Sequence, residues 1–117
     1  MAELGLGDGD APEIGSTLAV EQLPTEPPRL VLKLSGQVDV STEGLLRDAI
    51  DGAVTAGASN LVLDMSEVDF MDSSGIAVLL VAGRRVDALE LRNPTEIIRR
   101  VITIAGLSEA LRMTPDA

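Results

Sequence analysis

The stretch that decides the fold lies at residues 69–75 and reads Asp-Phe-Met-Asp-Ser-Ser-Gly. It lies between two apolar runs, one at 61–63 and the other at 76–81. This order predicts a buried strand, a short polar loop and a helix that begins with a capping side chain. Backbone N–H groups at a helix start lack partners within the helix, and the helix dipole is positive there. Because such a position accommodates a phosphate group, Ser73 and Ser74 are the candidate switch residues.

The aliphatic composition indicates a sheet covered by helices. The chain has 117 residues, which is enough for one domain with its own core. Apolar residues make up 45% of the chain, too large a share for a disordered protein, and Phe70 is the only aromatic residue. A core built from Leu, Val, Ile and Ala is typical of parallel or mixed sheets.

The charge of the chain limits the partners that it can bind. The net charge is −10, from 19 acidic and 9 basic residues. The phosphates of a nucleic acid would be repelled by this surface, and no basic patch indicates binding to an anionic membrane. We therefore expect neither of these partners, and a protein that carries basic groups is compatible with the charge.

The residue types that are missing exclude most forms of catalysis. The sequence contains no cysteine and no histidine, which removes disulfides, cysteine-ligated metals and Ser-His-Asp hydrolysis. The only lysine, Lys33, falls in a predicted strand, so a Ser-Lys dyad is not expected. Carboxylate pairs remain, but nothing in their spacing places two of them face to face. We expect a protein that is not an enzyme, with no cofactor and no metal site.

The chain divides into a tail, one domain and a short end segment. Residues 1–16 are rich in glycine and acidic residues and predict a disordered tail, residues 17–113 form the domain, and residues 114–117 are a flexible C-terminus. No secretory signal is visible, and the longest apolar run, at 76–82, is too short to span a bilayer. We therefore expect a cytoplasmic protein.

The apolar pattern and the chain breakers predict four strands and three helices. Strands are expected at 18–22, 30–34, 60–65 and 86–91. Helices are expected to begin near Ser41, at Asp72 or Ser73, and at Asn93, and to end at Gly57, Gly83 and Gly106. Residues 108–111 add one more turn. This order predicts an α/β fold with a mixed sheet of four to five strands and helices mainly on one face.

Polar residues follow two of the predicted strands. The loop after the second strand contains Asp39, and the loop after the third strand contains Asp69, Asp72 and the two serines. The carboxyl ends of parallel strands meet at the same edge of a sheet. We therefore expect Asp39 to lie near Ser74, with Asp69 and Asp72 flanking the serines.

Five short motifs occur in the order that is found in one known family. They are Gly-Gln-Val-Asp at 36–39, Asp64, Phe-Met-Asp-Ser-Ser-Gly-Ile at 70–76, Asn-Pro at 93–94 and Ala-Gly-Leu at 105–107. In this order they resemble STAS domains, and the chain is most similar to the small bacterial anti-sigma factor antagonists. The resemblance covers residues 18–112, and its serine motif is the most specific part.

The resemblance implies a protein that switches partners. In that family an anti-sigma factor, itself a serine kinase of the histidine-kinase-like ATPase type, phosphorylates the second serine of the motif, and a phosphatase removes the phosphate. The unphosphorylated antagonist binds the anti-sigma factor and so frees the sigma factor. The phosphorylated residue would be Ser74, ahead of Ser73. The partner-binding residues would be Asp39, Asp72, Ser73, Ser74, Gly75 and Ile76.

Other interpretations remain open at this point. The serines could form a helix cap and nothing more, and Asp39 could only shape a turn. The helix after the serines is predicted to be about two turns shorter than in the family. That difference motivates a second function, a STAS subunit without a switch that docks to the ATPase of an ABC transporter or to another protein complex. A small enzyme that uses carboxylates is a third possibility.

Overall fold

The chain forms five strands and three helices, which a computed structural model describes over residues 16–108 and 110–114. In chain order they are β1 (Leu18–Gln22), β2 (Arg29–Val38), α1 (Glu43–Thr55), β3 (Asn60–Met71), α2 (Ser73–Arg85), β4 (Ala88–Arg92), α3 (Glu96–Ile104) and β5 (Arg112–Thr114). The strands form one sheet in the order β1-β2-β3-β4-β5. Strand β1 is antiparallel to β2, and the remaining pairs are parallel. The predicted mixed sheet is confirmed.

The core lies between one face of this sheet and the three helices. Leu32 of β2 pairs with Leu63 of β3, and both are buried in a single apolar cluster. The same cluster contains Ile50 of α1, Leu79 of α2 and Ile98 of α3. Alternate residues of a strand point to opposite faces of the sheet, and Leu32 points to one of them. Because residues of all three helices share the cluster with Leu32, the helices pack on that face. The helices therefore cover one face, as the sequence predicted.

The opposite face of the sheet carries charged side chains in place of a helix layer. Lys33 Nζ lies 3.4 Å from a carboxylate oxygen of Glu67. Glu90 lies 3.5 Å from Arg92 and 3.9 Å from Arg112, and it accepts a 2.7 Å hydrogen bond from Thr114. This hydrogen bond, together with the nearby arginines, lowers the pKa of Glu90. The contacts of Glu90 hold the short strand β5 against β4.

The two central strands are longer than the sequence predicts. Strand β2 continues beyond its predicted end at residue 34 to Val38, and β3 continues beyond its predicted end at residue 65 to Met71. Gly36 has a φ of +117°, and the pairing of β2 with β3 shifts register on both sides of it. A Cβ atom at Gly36 would lie 2.3 Å from the carbonyl oxygen of Thr17, so the close approach of the segment before β1 needs glycine there. The shift pairs Val38 with Met71, so both strands end at the same level.

Two predicted helix boundaries were wrong. Helix α2 passes through Gly83 and ends at Arg85, because Gly83 is only a weak breaker and two arginines that favour helix follow it. Helix α3 begins at Glu96, with Thr95 as its cap, where the sequence indicated Asn93. Asn93 has a φ of 53° and belongs to the turn before the helix.

The end segments differ in part from the prediction. The backbone N–H groups of Ala110 and Leu111 donate to the carbonyl oxygen of Leu107 after α3, and β5 was not predicted as a separate strand. Apart from Ser16 and Thr114, the predicted tail at 1–16 and C-terminus at 114–117 lie outside the described residues. No helix of the described ranges, 16–108 and 110–114, is long and apolar enough to cross a membrane.

Candidate functional site

The side chain of Asp72 caps the helix that carries the two serines. Its Oδ1 atom accepts a 2.9 Å hydrogen bond from the backbone N–H of Ser74, and its carbonyl oxygen accepts from Gly75 and Ile76 at 3.1 and 3.2 Å. Asp72 is extended, whereas Ser73 is the first residue in the helix. Since a carboxylate already satisfies the N–H of Ser74, neither serine hydroxyl is needed as the cap. The prediction that Asp72 or Ser73 caps the helix resolves in favour of Asp72.

Neither serine is sealed in the core. Ser73 is exposed and Ser74 is half-buried. Within residues 16–108 and 110–114, no hydrogen bond joins either serine hydroxyl to another protein group. Both hydroxyls therefore lie at the positive end of α2 without competing partners in this part of the chain.

Gly75 brings the start of α2 against the ends of β2 and β3. A Cβ atom at this position would lie 2.7 Å from Cγ1 of Val38 and 2.8 Å from Cγ of Met71. The backbone N–H of Asp72 also donates a 3.2 Å hydrogen bond to the carbonyl oxygen of Val38. Gly75 and Ile76 are buried, so the structure assigns them a packing role. Their contact with a partner stays a prediction.

Asp39 lies one residue beyond Val38, at the same edge of the sheet as the serines. Its Oδ1 atom accepts hydrogen bonds from the backbone and hydroxyl of Ser41, at 2.9 and 2.7 Å, and its Oδ2 atom accepts one from the hydroxyl of Ser16. The Ser16 hydrogen bond is the main cause of the lowered pKa of Asp39, and Ser41 contributes next. Asp39 therefore organises the loop after β2. Its predicted role beside Ser74 stays a prediction.

Three residues that the sequence analysis did not select hold this edge together. Gln37 accepts a 3.1 Å hydrogen bond from the backbone of Thr17 and donates one of 2.9 Å to Asp69. Thr42, whose side chain is buried, donates to the carbonyl oxygen of Gln37 at 2.9 Å and accepts from the backbone of Asp39 at 3.0 Å. The third residue is Ser16, which was assigned to the tail. Gln37 lay in the Gly-Gln-Val-Asp motif, which served only for the family resemblance, and the Ser-Thr pair at 41–42 was interpreted as a helix start.

The loops around the serines form an acidic rim, defined here as Asp39, Asp69 and Asp72. Each of the three carboxylates accepts hydrogen bonds, but none forms an ion pair with a basic side chain of the described residues. Their negative charge is therefore not neutralised within this part of the protein. The described ranges also contain no group of three or more acidic side chains that could hold a metal ion.

A groove lies between α1 and α2, and no residue of the acidic rim lines it. Its volume is ≈ 170 Å³, and its apolar floor includes Ile50, Val78 and Val81. An ion pair between Arg85 of α2 and Asp51 of α1 crosses it. Because the charged groups on its border are paired with each other, the groove shows no charge preference for a ligand.

The sequence matches one family model and several named proteins. A family model described as "Mlab, STAS domain" matches residues 8–115. The chain is 28% identical to the anti-sigma-F factor antagonist RsfB of Mycobacterium tuberculosis over 86 residues, which cover 71% of this chain and 70% of that protein. It is 29% identical to an anti-sigma F factor antagonist of Lysinibacillus sphaericus over 83 residues, with coverages of 67% and 71%.

Solved structures share the fold. An anti-sigma factor antagonist from Mycobacterium paratuberculosis superposes with a TM-score of 0.76 and 23% identity, over 84% of this chain and 86% of that one. The anti-sigma factor antagonist SpoIIAA in its unphosphorylated form gives a TM-score of 0.70, also at 23% identity, over 81% and 87%. The family model spans nearly all of the sequence, and the fold agrees with it. The chain therefore belongs to the STAS domain family, in which its named relatives are anti-sigma factor antagonists.

Proposed function

We propose that this protein is an anti-sigma factor antagonist whose binding to the anti-sigma factor is controlled by phosphorylation of Ser74. The observation that carries the proposal is the start of α2, where Asp72 caps the helix and leaves the hydroxyl of Ser74 free of protein partners in the described chain. The names of the relatives support the choice of partner. SpoIIAA, which shares the fold, has also been solved in a phosphorylated form, with a TM-score of 0.63.

The proposed switch is electrostatic. A phosphate on Ser74 adds roughly −1.5 to −2 charges and three acceptor oxygens. The helix dipole stabilises this charge, so the fold need not change. A partner surface that fits a neutral hydroxyl beside Asp69 and Asp72 would then meet added charge and a desolvation cost. A 100-fold loss of affinity requires only about 2.7 kcal/mol, which such a change can supply.

The proposed switch requires a kinase and a phosphatase. The anti-sigma factor would act as a serine kinase of the histidine-kinase-like ATPase type, and a serine phosphatase would restore the hydroxyl. The protein itself would be a substrate and a binding partner, and not an enzyme. A role in transcription would place it in the cytoplasm.

A phosphorylation assay tests the modified residue. The protein is incubated with ATP and candidate anti-sigma factor kinases from its own organism, and the product is mapped by mass spectrometry. We expect one phosphate, located on Ser74. The Ser73→Ala variant should still be phosphorylated and Ser74→Ala should not. Absence of phosphate from both serines with every candidate kinase would contradict the proposal.

A binding assay tests the switch itself. Ser74→Ala should bind the anti-sigma factor with an affinity within about threefold of wild type, since the partner surface meets an uncharged group in both. Ser74→Glu should weaken binding by about 10- to 100-fold, because it adds a negative charge at the acidic rim. Ser73→Glu is the matched control for a charge one residue away. Calorimetric titration measures all four affinities.

A second candidate is a STAS subunit that docks to the ATPase of an ABC transporter and does not switch. The matching family model is described by the name Mlab and not as an anti-sigma factor antagonist, which favours keeping this candidate. It predicts copurification with an ATPase and equal binding by wild type and Ser74→Glu. The calorimetric comparison above therefore separates the two functions.

A further inference from the structure

Three of the exposed large apolar side chains lie near the carboxyl ends of the parallel strands, the edge that also carries the serine motif. Val40 is 73% exposed, Phe70 is 46% exposed and Ile97 is 56% exposed. Each comes from a different parallel strand or from the segment that follows it. Val40 follows β2, Phe70 is the residue before the last of β3, and Ile97 lies in the first turn of α3 after β4. We name these three residues the rim triad.

Hydrogen bonds between the connections hold the rim triad at one edge of the sheet. The backbone N–H of Asp72 donates to the carbonyl oxygen of Val38, two residues before Val40, at 3.2 Å. The hydroxyl of Thr95 donates to the carbonyl oxygen of Val68 at 3.0 Å, which joins the start of α3 to the end of β3. Strand β3, which carries Phe70, is therefore joined at its end to β2 on one side and to the start of α3 on the other.

The chemistry of this edge indicates the kind of partner that it fits. Exposed apolar groups of this size are unfavourable in water, and a cluster of them marks an interaction surface. The acidic rim lies among them, and its carboxylates have no basic partner within residues 16–108 and 110–114. The complementary surface combines apolar pockets with Arg or Lys side chains. The paired charges of the α1–α2 groove show no such preference.

We propose that the rim triad anchors the anti-sigma factor, which contributes apolar pockets bordered by basic side chains. This inference rests on the proposed function and adds the residues that supply the affinity. Phe70 is the central anchor, since aromatic side chains dominate binding energy when a partner buries them. Phosphorylation of Ser74 would then act on the acidic rim while the apolar contacts remain available.

Matched substitutions test the rim triad. Val40→Ser and Ile97→Ser should each weaken binding of the unphosphorylated protein to its anti-sigma factor by about tenfold, and Phe70→Ser by about 100-fold. The controls are Val81→Ser, in the α1–α2 groove, and Ile104→Ser, at the far end of α3, where the wild-type side chains are 53% and 78% exposed. Both controls should bind within about threefold of wild type. Circular dichroism and thermal unfolding check that every variant folds.

The outcomes separate this inference from the proposed function. Binding that is unaffected by all three triad substitutions overturns the inference alone. A loss with Val81→Ser as large as that with Val40→Ser also overturns it, in favour of the groove. If the wild-type protein binds no anti-sigma factor, the proposed function fails and the inference fails with it. Triad substitutions that change only self-association, measured by analytical ultracentrifugation, assign the surface to a second copy and overturn the inference as well.

The ring signals of Phe70 allow a second test of the inference that needs no substitution. It is the only aromatic residue, and the sequence contains no histidine, so every aromatic ring signal of the protein belongs to it. Ring-labelled protein titrated with unlabelled anti-sigma factor should show a shift of these signals that saturates with the calorimetric affinity. Ring signals that stay unchanged at saturation would contradict a role for Phe70 as an anchor.

Discussion

At the scale of single residues, the site depends on a glycine that allows a close contact and on carboxylates that accept hydrogen bonds. Gly75 lets α2 begin against Val38 and Met71, and this contact sets the position of Ser74. Asp39 holds its loop through hydrogen bonds from Ser16 and Ser41. A substitution at either position changes the site without touching the serine hydroxyls.

Gly75→Ala should lower the free energy of unfolding by about 1–3 kcal/mol, because the added methyl group overlaps Val38 and Met71. Gly52→Ala, in α1, is the matched control. Apart from its chain neighbours and the backbone of its own helix, no atom lies within 4 Å of the Cβ position there, so that variant should be stabilised by up to about 1 kcal/mol. Urea unfolding measures both values. Equal effects of the two substitutions would show that packing at Gly75 is not tight.

Ser16→Ala should raise the pKa of Asp39, because the hydroxyl of Ser16 is the main cause that lowers it. A lowered carboxyl pKa contributes stability above the unfolded-state pKa, and this contribution is lost as the pH falls through the folded-state pKa. The variant should therefore lose less stability than wild type when acidified below about pH 4. Carboxyl-detected NMR titration measures the pKa. Ser35→Ala, which removes a hydroxyl that donates to Glu67, should leave the pKa of Asp39 unchanged.

At the scale of elements, the site is the meeting point of two strand ends and one helix start. Strands β2 and β3 finish at paired residues, Val38 and Met71, after two register shifts that each add one residue to β3. Helix α2 begins two residues later and takes its cap from Asp72. The helix supplies a positive end where a phosphate is tolerated, and the strands supply a rigid base.

Asp72→Ala should lower the free energy of unfolding by about 1 kcal/mol, since it leaves the N–H of Ser74 without its side-chain acceptor. Asp72→Asn keeps an acceptor and should stay within about 0.5 kcal/mol of wild type. Urea unfolding of the two variants measures the difference. If Asp72→Asn were as unstable as Asp72→Ala, charge at the helix start would matter more than the hydrogen bond.

At the scale of the whole molecule, the two faces of the sheet differ in what covers them. The helices cover one face of the sheet, and the other face carries ion pairs such as Lys33 with Glu67. The acidic rim lies at the edge between them and is not neutralised within the described residues. With a net charge of −10, the molecule attracts basic surfaces at long range, and dissolved salt screens this attraction.

The rate of association with the anti-sigma factor should fall by about tenfold between 50 mM and 500 mM salt, because screening removes the long-range attraction. The dissociation rate should change less, since apolar contacts of the rim triad do not depend on salt in this way. Stopped-flow measurements give both rates. An association rate that is independent of salt would contradict a basic partner surface.

The sequence by itself determined the α/β class, the order of the first seven elements and the serine motif at a helix start. These depend on local patterns, namely the spacing of apolar residues and the Asp72 cap, which act within a few positions of the chain. Only the tertiary structure decided how the edge is assembled. Ser16 reaches Asp39 across 23 positions and Gln37 reaches Asp69 across 32, so no local pattern records these contacts. The end of β3 was missed for the same reason, since its length depends on pairing with β2 beyond the two register shifts.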